Sequence, residues 1–157
     1  MGGFFGVVSK EDCIHDLFYG TDYHSHLGTC RGGLASIENN EFHRHIHDIS
    51  NAQFRSKFEQ DIREMRGNSG IGVISDNESQ PLIIHSHLGT YAIITVGLIN
   101  NLDNLVRDAF RRRVTHFSEM SSLGINPTEM VATLINEGGT FEDGICNAQE
   151  RIEGSCS

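Results

Sequence analysis

The residues best equipped for chemistry in this 157-residue chain are its nine histidines. Four of them stand in a hexapeptide, "HSHLGT", that occurs at 24–29 and again at 85–90. This sets His24 beside His26 and His85 beside His87 in alternation. His43, His45 and His47 alternate in the same way, and on a strand they would share one face. Metal chemistry of the zinc type needs three or four nitrogen or sulfur ligands converging on one point. The stretch from Glu38 to Ser50, which opens with Asn39, Asn40 and Glu41, reads as a solvated loop, and the apolar neighbours of His85 and His87 make them core or edge histidines. The expectation is exposed polar histidines and no metal site. Nor is the hexapeptide a duplication, because its flanks do not match: "YGTDY" stands against "SQPLI", and "CRGGLA" against "YAIITV". The first copy is expected to end a helix and the second to join two strands. Local turn chemistry accounts for both, with Gly28 and Gly89 each able to take a positive φ.

Other chemistry-bearing groups are sparse. Cys13, Cys30, Cys146 and Cys156 are far apart, form no CxxC pair, and read as reduced, mostly structural thiols with Cys156 exposed. Gly67, Gly70 and Gly72 lack a Walker lysine and lead into a strand, which argues against a phosphate loop. The N-terminus is more pointed. "GGFFGVV" reads as a buried strand starting at residue 2. If Met1 is removed, Gly2 becomes the terminus, in the layout by which a free α-amine serves as base for the adjacent nucleophile.

The elements that must position these groups follow from pattern. A helix over 11–20 carries Ile14, Leu17 and Phe18 inward, and Gly20 ends or bends it. "GGLASIE" (32–38), "SGIGVIS" (69–75) and "LIIHS" (82–86) read as strands, with "DNESQP" (76–81) as a turn. Phe54, Phe58, Ile62 and Met65 lie on one helix face, with Gly67 as the stop signal. "TYAIITVGLI" (90–99) is the longest strand-forming run and reads as the central strand. Asn101 caps a helix carrying Leu102, Leu105, Val106, Ala109 and Phe110, which Arg111, Arg112 and Arg113 close at its negative end. "NPTE" (126–129) is a helix start with a capping Asn and Pro in the first turn. "TFED" opens a last helix with Phe141, Ile145 and Ile152 inward. Strands and helices come in blocks without βαβ alternation, so the class is α+β, in one domain over 1–157.

Composition excludes several functions. The formal net charge is −9, which argues against nucleic-acid binding. No apolar run reaches the ~20 residues of a membrane helix. No signal peptide is evident, so the chain is expected to be cytoplasmic.

Taken in order, several segments resemble the class II glutamine amidotransferase family of N-terminal-nucleophile hydrolases, most closely its amidophosphoribosyltransferase branch. "MGGFFGVV" resembles the family start, Met-Cys-Gly followed by apolar residues and Gly. "HLGTCRGGLA" (26–35) is similar to His-Arg-Gly-Gln-Glu-Ser-Ala-Gly-Ile-Ala. "GNSGIGVIS…QP" (67–81) resembles a glycine-rich strand ending Gln-Pro. "TVGLINNLDNL" (95–105) is similar to His-Asn-Gly-Asn-Leu followed by spaced Asn and Leu. "NPTEMVATLI" (126–135) stands where the family has Ser-Asp-(Ser/Thr)-Glu, and "RIEGSCS" (151–157) resembles the entry to a later core strand. The resemblance implies a four-layer αββα sandwich, here truncated at its C-terminus. It implies glutamine hydrolysis by a cysteine thiolate, with ammonia passed to a phosphoribosyltransferase domain in purine synthesis. No cofactor is implied. The implied partners are glutamine, a downstream phosphoribosyltransferase-like domain or subunit, and further copies of the chain in a homo-oligomer.

The same alignment removes the catalytic groups. The nucleophilic cysteine falls on Gly2 and the oxyanion asparagine on Val96, with its glycine kept as Gly97. The arginine for the glutamine α-carboxylate falls on Ser75, and that of His-Arg-Gly on Leu27, beside the retained His26. The aspartate for the glutamine amino group falls on Pro127, leaving Glu129. Without a nucleophile the covalent route is gone. The expectation is therefore a catalytically silent domain, a pseudoenzyme. The alternative is a module that binds an amino acid or nucleotide without turnover.

Overall fold

The computed structural model describes residues 2–28, 30–76, 78–112, 120–121 and 124–157. Met1, Thr29 of the first hexapeptide, Asn77 of the 76–81 turn and Arg113 of the basic cluster lie outside the described residues. In chain order the elements are β1 (Gly3–Val8), α1 (Ile14–Tyr23), β2 (Arg31–Glu38), β3 (Glu41–Asp48), α2 (Phe54–Phe58), α3 (Asp61–Glu64), β4 (Ser69–Ser75), β5 (Leu82–Ser86) and β6 (Gly89–Ile93). They continue with β7 (Gly97–Ile99), α4 (Leu102–Arg111), β8 (Met120–Ser121), β9 (Gly124–Ile125), α5 (Pro127–Ile135), α6 (Phe141–Arg151) and β10 (Gly154–Cys156).

The main sheet has the order β1-β4-β2-β3 and is antiparallel throughout. One of its faces carries α1. The glycines of β4 explain that seat: a Cβ on Gly72 would overlap the Thr21 hydroxyl, and one on Gly70 would lie 2.7 Å from Leu17 Cδ2. Gly70 and Gly72 thus let a helix approach a strand, and Gly67 lies close against Ser36 and Ile37 of β2. Ile14, Leu17, Phe18, Leu34, Phe54, Phe58, Met65 and Ile74 form the first core, with Phe5 and Val7 packed against it. β1 is an edge strand, so it is half-exposed rather than buried: Phe4 and Val8 face outward at 46% and 86% exposure. Gly20 does not end α1; the ring of Phe5 packs over it, and the helix runs on to Tyr23.

Three further expectations need correction. The histidine-rich stretch is strand β3, not a loop. Asn39 and Asn40 both take positive φ, at 50° and 67°, and Glu38 pairs with Glu41. Two consecutive left-handed residues make the type I′ hairpin turn, whose twist matches its strands. The run 54–65 is two short helices instead of one, although Phe54, Phe58 and Met65 are buried as expected. The run 90–99 is not a central strand either. It breaks at 94–96 into β6, which pairs only with β5, and β7, which pairs with β10.

The second core joins Leu105, Ala109, Met130, Val131, Leu134, Ile135 and Ala148, with Ile93, Ile99 and Ile152 against it. Asn101 precedes α4 but makes no side-chain cap bond. Its amide instead ties the end of α6, donating to Arg151 O at 2.8 Å and accepting from Glu153 N at 3.0 Å. Asn126 does cap α5 and Thr140 caps α6. α6 buries Gly144 and Ala148 rather than Phe141 and Ile145, which are 38% and 53% exposed. A Cβ on Gly144 would overlap Ile135 O, so the small face is the one that lets α6 lie close on α5.

Candidate functional site

Several chain segments end at one cavity of about 630 Å³, a size typical of small-molecule sites. β1 delivers Gly2 and β4 delivers Ser75, since the β1–β4 ladder begins at the Gly3–Ile74 pair. The turn after α1, closed by Leu27 N donating to His24 O at 2.9 Å, brings Leu27. The start of β7 brings Val96 and Gly97, and the first turn of α5 brings Pro127. Ser155 and Cys156 of β10 close the wall. Thus Gly2, Leu27, Ser75, Val96, Gly97 and Pro127, far apart in sequence, share one cavity. Glu129 is not on its wall; it is buried within α5 at 8% exposure. His26 is exposed and is not on the wall either.

The cavity rests on polar residues that pattern reading passed over. Gln80 is 2% exposed. Its amide grips the backbone of Thr95, with Nε2 donating to Thr95 O at 3.0 Å and Oε1 accepting from Thr95 N at 2.7 Å. This bidentate clamp occupies both backbone groups of Thr95, the residue before Val96. Asn126 caps α5 by accepting from Thr128 N at 2.9 Å and donates to Ser79 O at 3.2 Å. The Thr95 and Thr128 hydroxyls meet at 2.6 Å. A polar residue buried beside a Pro was the one available sequence signal for Gln80. Leu98, Ile99 and Leu102, also on the wall, carried none.

The groups on the wall do little covalent chemistry. Gly2 has no side chain. Both peptide groups of Val96 are paired with Ser157, Val96 N to Ser157 O at 2.9 Å and Ser157 N to Val96 O at 3.0 Å. The alternation of an antiparallel ladder then turns the peptide groups of Gly97 away from β10. The Ser75 hydroxyl is committed to its own segment, donating to Glu78 O at 2.9 Å with Glu78 Oε2 at 3.4 Å. Cys156 supplies a thiol. Its residue is exposed overall, but partial desolvation raises its pKa above the ordinary thiol value. The charged residues on the wall, among those described, are Asp76 and Glu78, both acidic.

The histidines lie elsewhere. His45 Nδ1 and His47 Nε2 contact the two oxygens of Asp61 at 3.0 and 2.5 Å, and the His47 ring stands edge-on to Phe58. Among the described residues, no group of three His, Cys, Asp or Glu is placed to hold a metal ion. In the second hexapeptide Gly89 takes φ +109° in the β5–β6 hairpin, whereas Gly28 does not take a positive φ. The first hexapeptide follows α1 directly, and both copies sit as expected. All four cysteines are free thiols. No described helix is long and apolar enough to cross a membrane.

Mixed helices and antiparallel sheets, with the N-terminal strand starting at a cavity, define an α+β domain. The chain matches no family model and no curated protein. Solved structures are similar along its whole length. One, described as the allosteric regulatory enzyme of purine biosynthesis, has a TM-score of 0.82 at 21% identity, covering 100% of this chain and 34% of that one. Another is glutamine phosphoribosylpyrophosphate amidotransferase from B. subtilis complexed with ADP and GMP. Its TM-score is 0.81 at 22% identity, over 99% of this chain and 34% of that one. At this identity the likeness is one of fold, shared with amidophosphoribosyltransferase-type structures. The chain spans about a third of the length of each.

Proposed function

We propose that this chain is a glutamine amidotransferase-like domain of an amidophosphoribosyltransferase-like protein of purine nucleotide synthesis, silent toward glutamine. The observation that carries this reading is the state of the cavity. It stands at the end of the N-terminal strand, yet it offers neither a nucleophile at Gly2 nor a side-chain donor at Val96. Loss of one oxyanion donor alone costs about 3 kcal/mol of transition-state stabilisation, and loss of the nucleophile removes the acyl-enzyme route. Support for αββα layering is that α1 covers one face of the main sheet, while Gln80–Pro81 packs against Gly33 on another side and leads into the β5–β6 hairpin beside α5. In this reading the domain acts through contacts with a phosphoribosyltransferase-like domain or subunit, in a homo-oligomer in the cytoplasm. The test is glutamate release from L-glutamine by purified chain in a dehydrogenase-coupled assay. No release above a heat-denatured control is expected; sustained turnover refutes silence.

The cavity itself favours a second reading, a small-molecule binding module without turnover. A volume of about 630 Å³ has been kept where the catalytic groups have not. Calorimetry that detects a ligand in the absence of glutamate release favours this reading.

A further inference from the structure

The cavity has a chemical polarity that the loss of glutamine chemistry does not by itself explain. Leu27, Val96, Leu98, Leu102 and Pro127 give it apolar walls. Against them stand Ser75, Asp76 and Glu78, and no described lining residue is basic. Glu78 is half-buried, and its carboxylate is held near the Ser75 hydroxyl at 3.4 Å.

These facts decide between ligand classes. An α-amino acid entering this space must desolvate its carboxylate. A buried carboxylate without a cationic partner is costly, and here it would also face Glu78. An ammonium group meets the opposite situation, since a charge-assisted hydrogen bond to Glu78 offsets its desolvation. An alkyl body then covers the leucine and valine walls, at about 0.8 kcal/mol for each buried methylene. The chain's net charge of −9 adds long-range attraction of the same sign.

We propose that this cavity binds a small primary alkylamine, as its ammonium ion, in preference to an amino acid. The inference rests on the reading of the cavity as a retained ligand pocket. Glu78 holds the ammonium, and Leu98 with Leu102 contacts the alkyl chain.

The test is calorimetric titration of the full chain with n-hexylamine, hexanoate and L-glutamine at pH 7. Saturable binding of n-hexylamine is expected, with the other two at least about tenfold weaker. Glu78→Gln should weaken n-hexylamine binding about tenfold, the loss of one charge-assisted bond. The Ser75 hydroxyl keeps its 2.9 Å bond to the Glu78 backbone in that variant, so the segment retains its shape. Leu98→Lys is the second variant, at a residue already 66% exposed. It should abolish n-hexylamine binding and admit hexanoate. Hexanoate or glutamine binding as tightly as n-hexylamine to the unmodified chain overturns the proposal. So does a Glu78→Gln protein with unchanged amine affinity, and so does a chain that binds no amine. The absence of amine binding leaves glutaminase silence standing, whereas glutamate release sinks silence whatever the amine does.

Discussion

Placing at position 2 the cysteine that stands there in the resembling family is the sharpest perturbation, and the structure predicts that Gly2→Cys will not confer glutaminase activity. The first obstacle is space. A Cβ built on Gly2 overlaps the backbone oxygen of Ile74 and stands 3.6 Å from Ser75 Cα. Ile74 is fully buried and paired in register with Gly3, so that carbonyl cannot swing aside as a flexible side chain would. The end of β1 must shift instead. Overpacking of this kind costs about 1–3 kcal/mol. For a domain of this size each kcal/mol lowers Tm by about 2–4 °C, so a fall of about 2–12 °C is expected in a thermal melt.

The second obstacle is electrostatic. A thiolate placed at position 2 would attack beside Val96, whose side chain donates nothing and whose peptide groups are both held by Ser157. One missing oxyanion donor costs about 10²–10³ in kcat. Nor does a described cationic residue on the wall anchor the glutamine carboxylate. The Gly2→Cys chain is therefore expected to show no glutamate release in the coupled assay, and Gly2→Cys with Val96→Asn at most a trace. Robust glutamate release by Gly2→Cys alone, with an unchanged Tm, would refute both the steric and the electrostatic reasoning.

Other outcomes follow from the same packing. Gly72→Ala drives a methyl group into the Thr21 hydroxyl and Leu34; a loss of about 1–3 kcal/mol is expected in urea unfolding, and an unchanged midpoint would contradict the seat of α1. Gln80→Ala strips both bonds from the Thr95 backbone; a loss of about 2–4 kcal/mol is expected, together with faster amide exchange at Thr95 and Val96, and n-hexylamine binding should weaken with it. Desolvation first, then Asp12 and Asp16, raises the pKa of the Cys13 thiol above 9.0. Its stabilising contribution is therefore complete below pH 9.0 and is lost as pH climbs through the raised folded value. Between pH 8 and 10 the urea midpoint should fall more steeply for the unmodified chain than for Cys13→Ala. At pH 8 a thiol reagent should label exposed Cys146 at once and Cys13 only on unfolding.

How much of this was legible in the sequence depends on what each signal encodes. The strands at 31–38 and 69–75 and the helix at 127–135 carry local chemistry that agrees with their tertiary setting. Asn126 caps as its sequence context says, because the bond it makes is to a residue two positions on. β3 was hidden because histidine and arginine alternate there without an apolar stripe. Its evidence lay in Asn39-Asn40, a turn signal that a polar reading mistakes for a loop. The break at 94–96 was not legible, since the group that takes up the Thr95 backbone there is Gln80, distant in the sequence. The buried face of α6 was misassigned because apolar periodicity favours Phe141 and Ile145, while close helix packing selects Gly144 and Ala148 for their small size.

The same distinction applies to the cavity. Gly2, Ser75, Val96 and Pro127 were singled out for what they lack, and four absences at separate points in a sequence carry no spatial meaning by themselves. Brought to one cavity, they describe a coherent loss of polar and ionic groups. Each replaces a residue that would be polar or ionic in the resembling family with one that is apolar, small or neutral, while Asp76 and Glu78 remain nearby. A volume of about 630 Å³ stands open there, and the buried clamp of Gln80 on Thr95 shapes its wall. A clamp that satisfies both its partners costs little and stabilises only the arrangement it holds. A wall without described cations beside that clamp suits a ligand other than glutamine, and the n-hexylamine titration tests that reading.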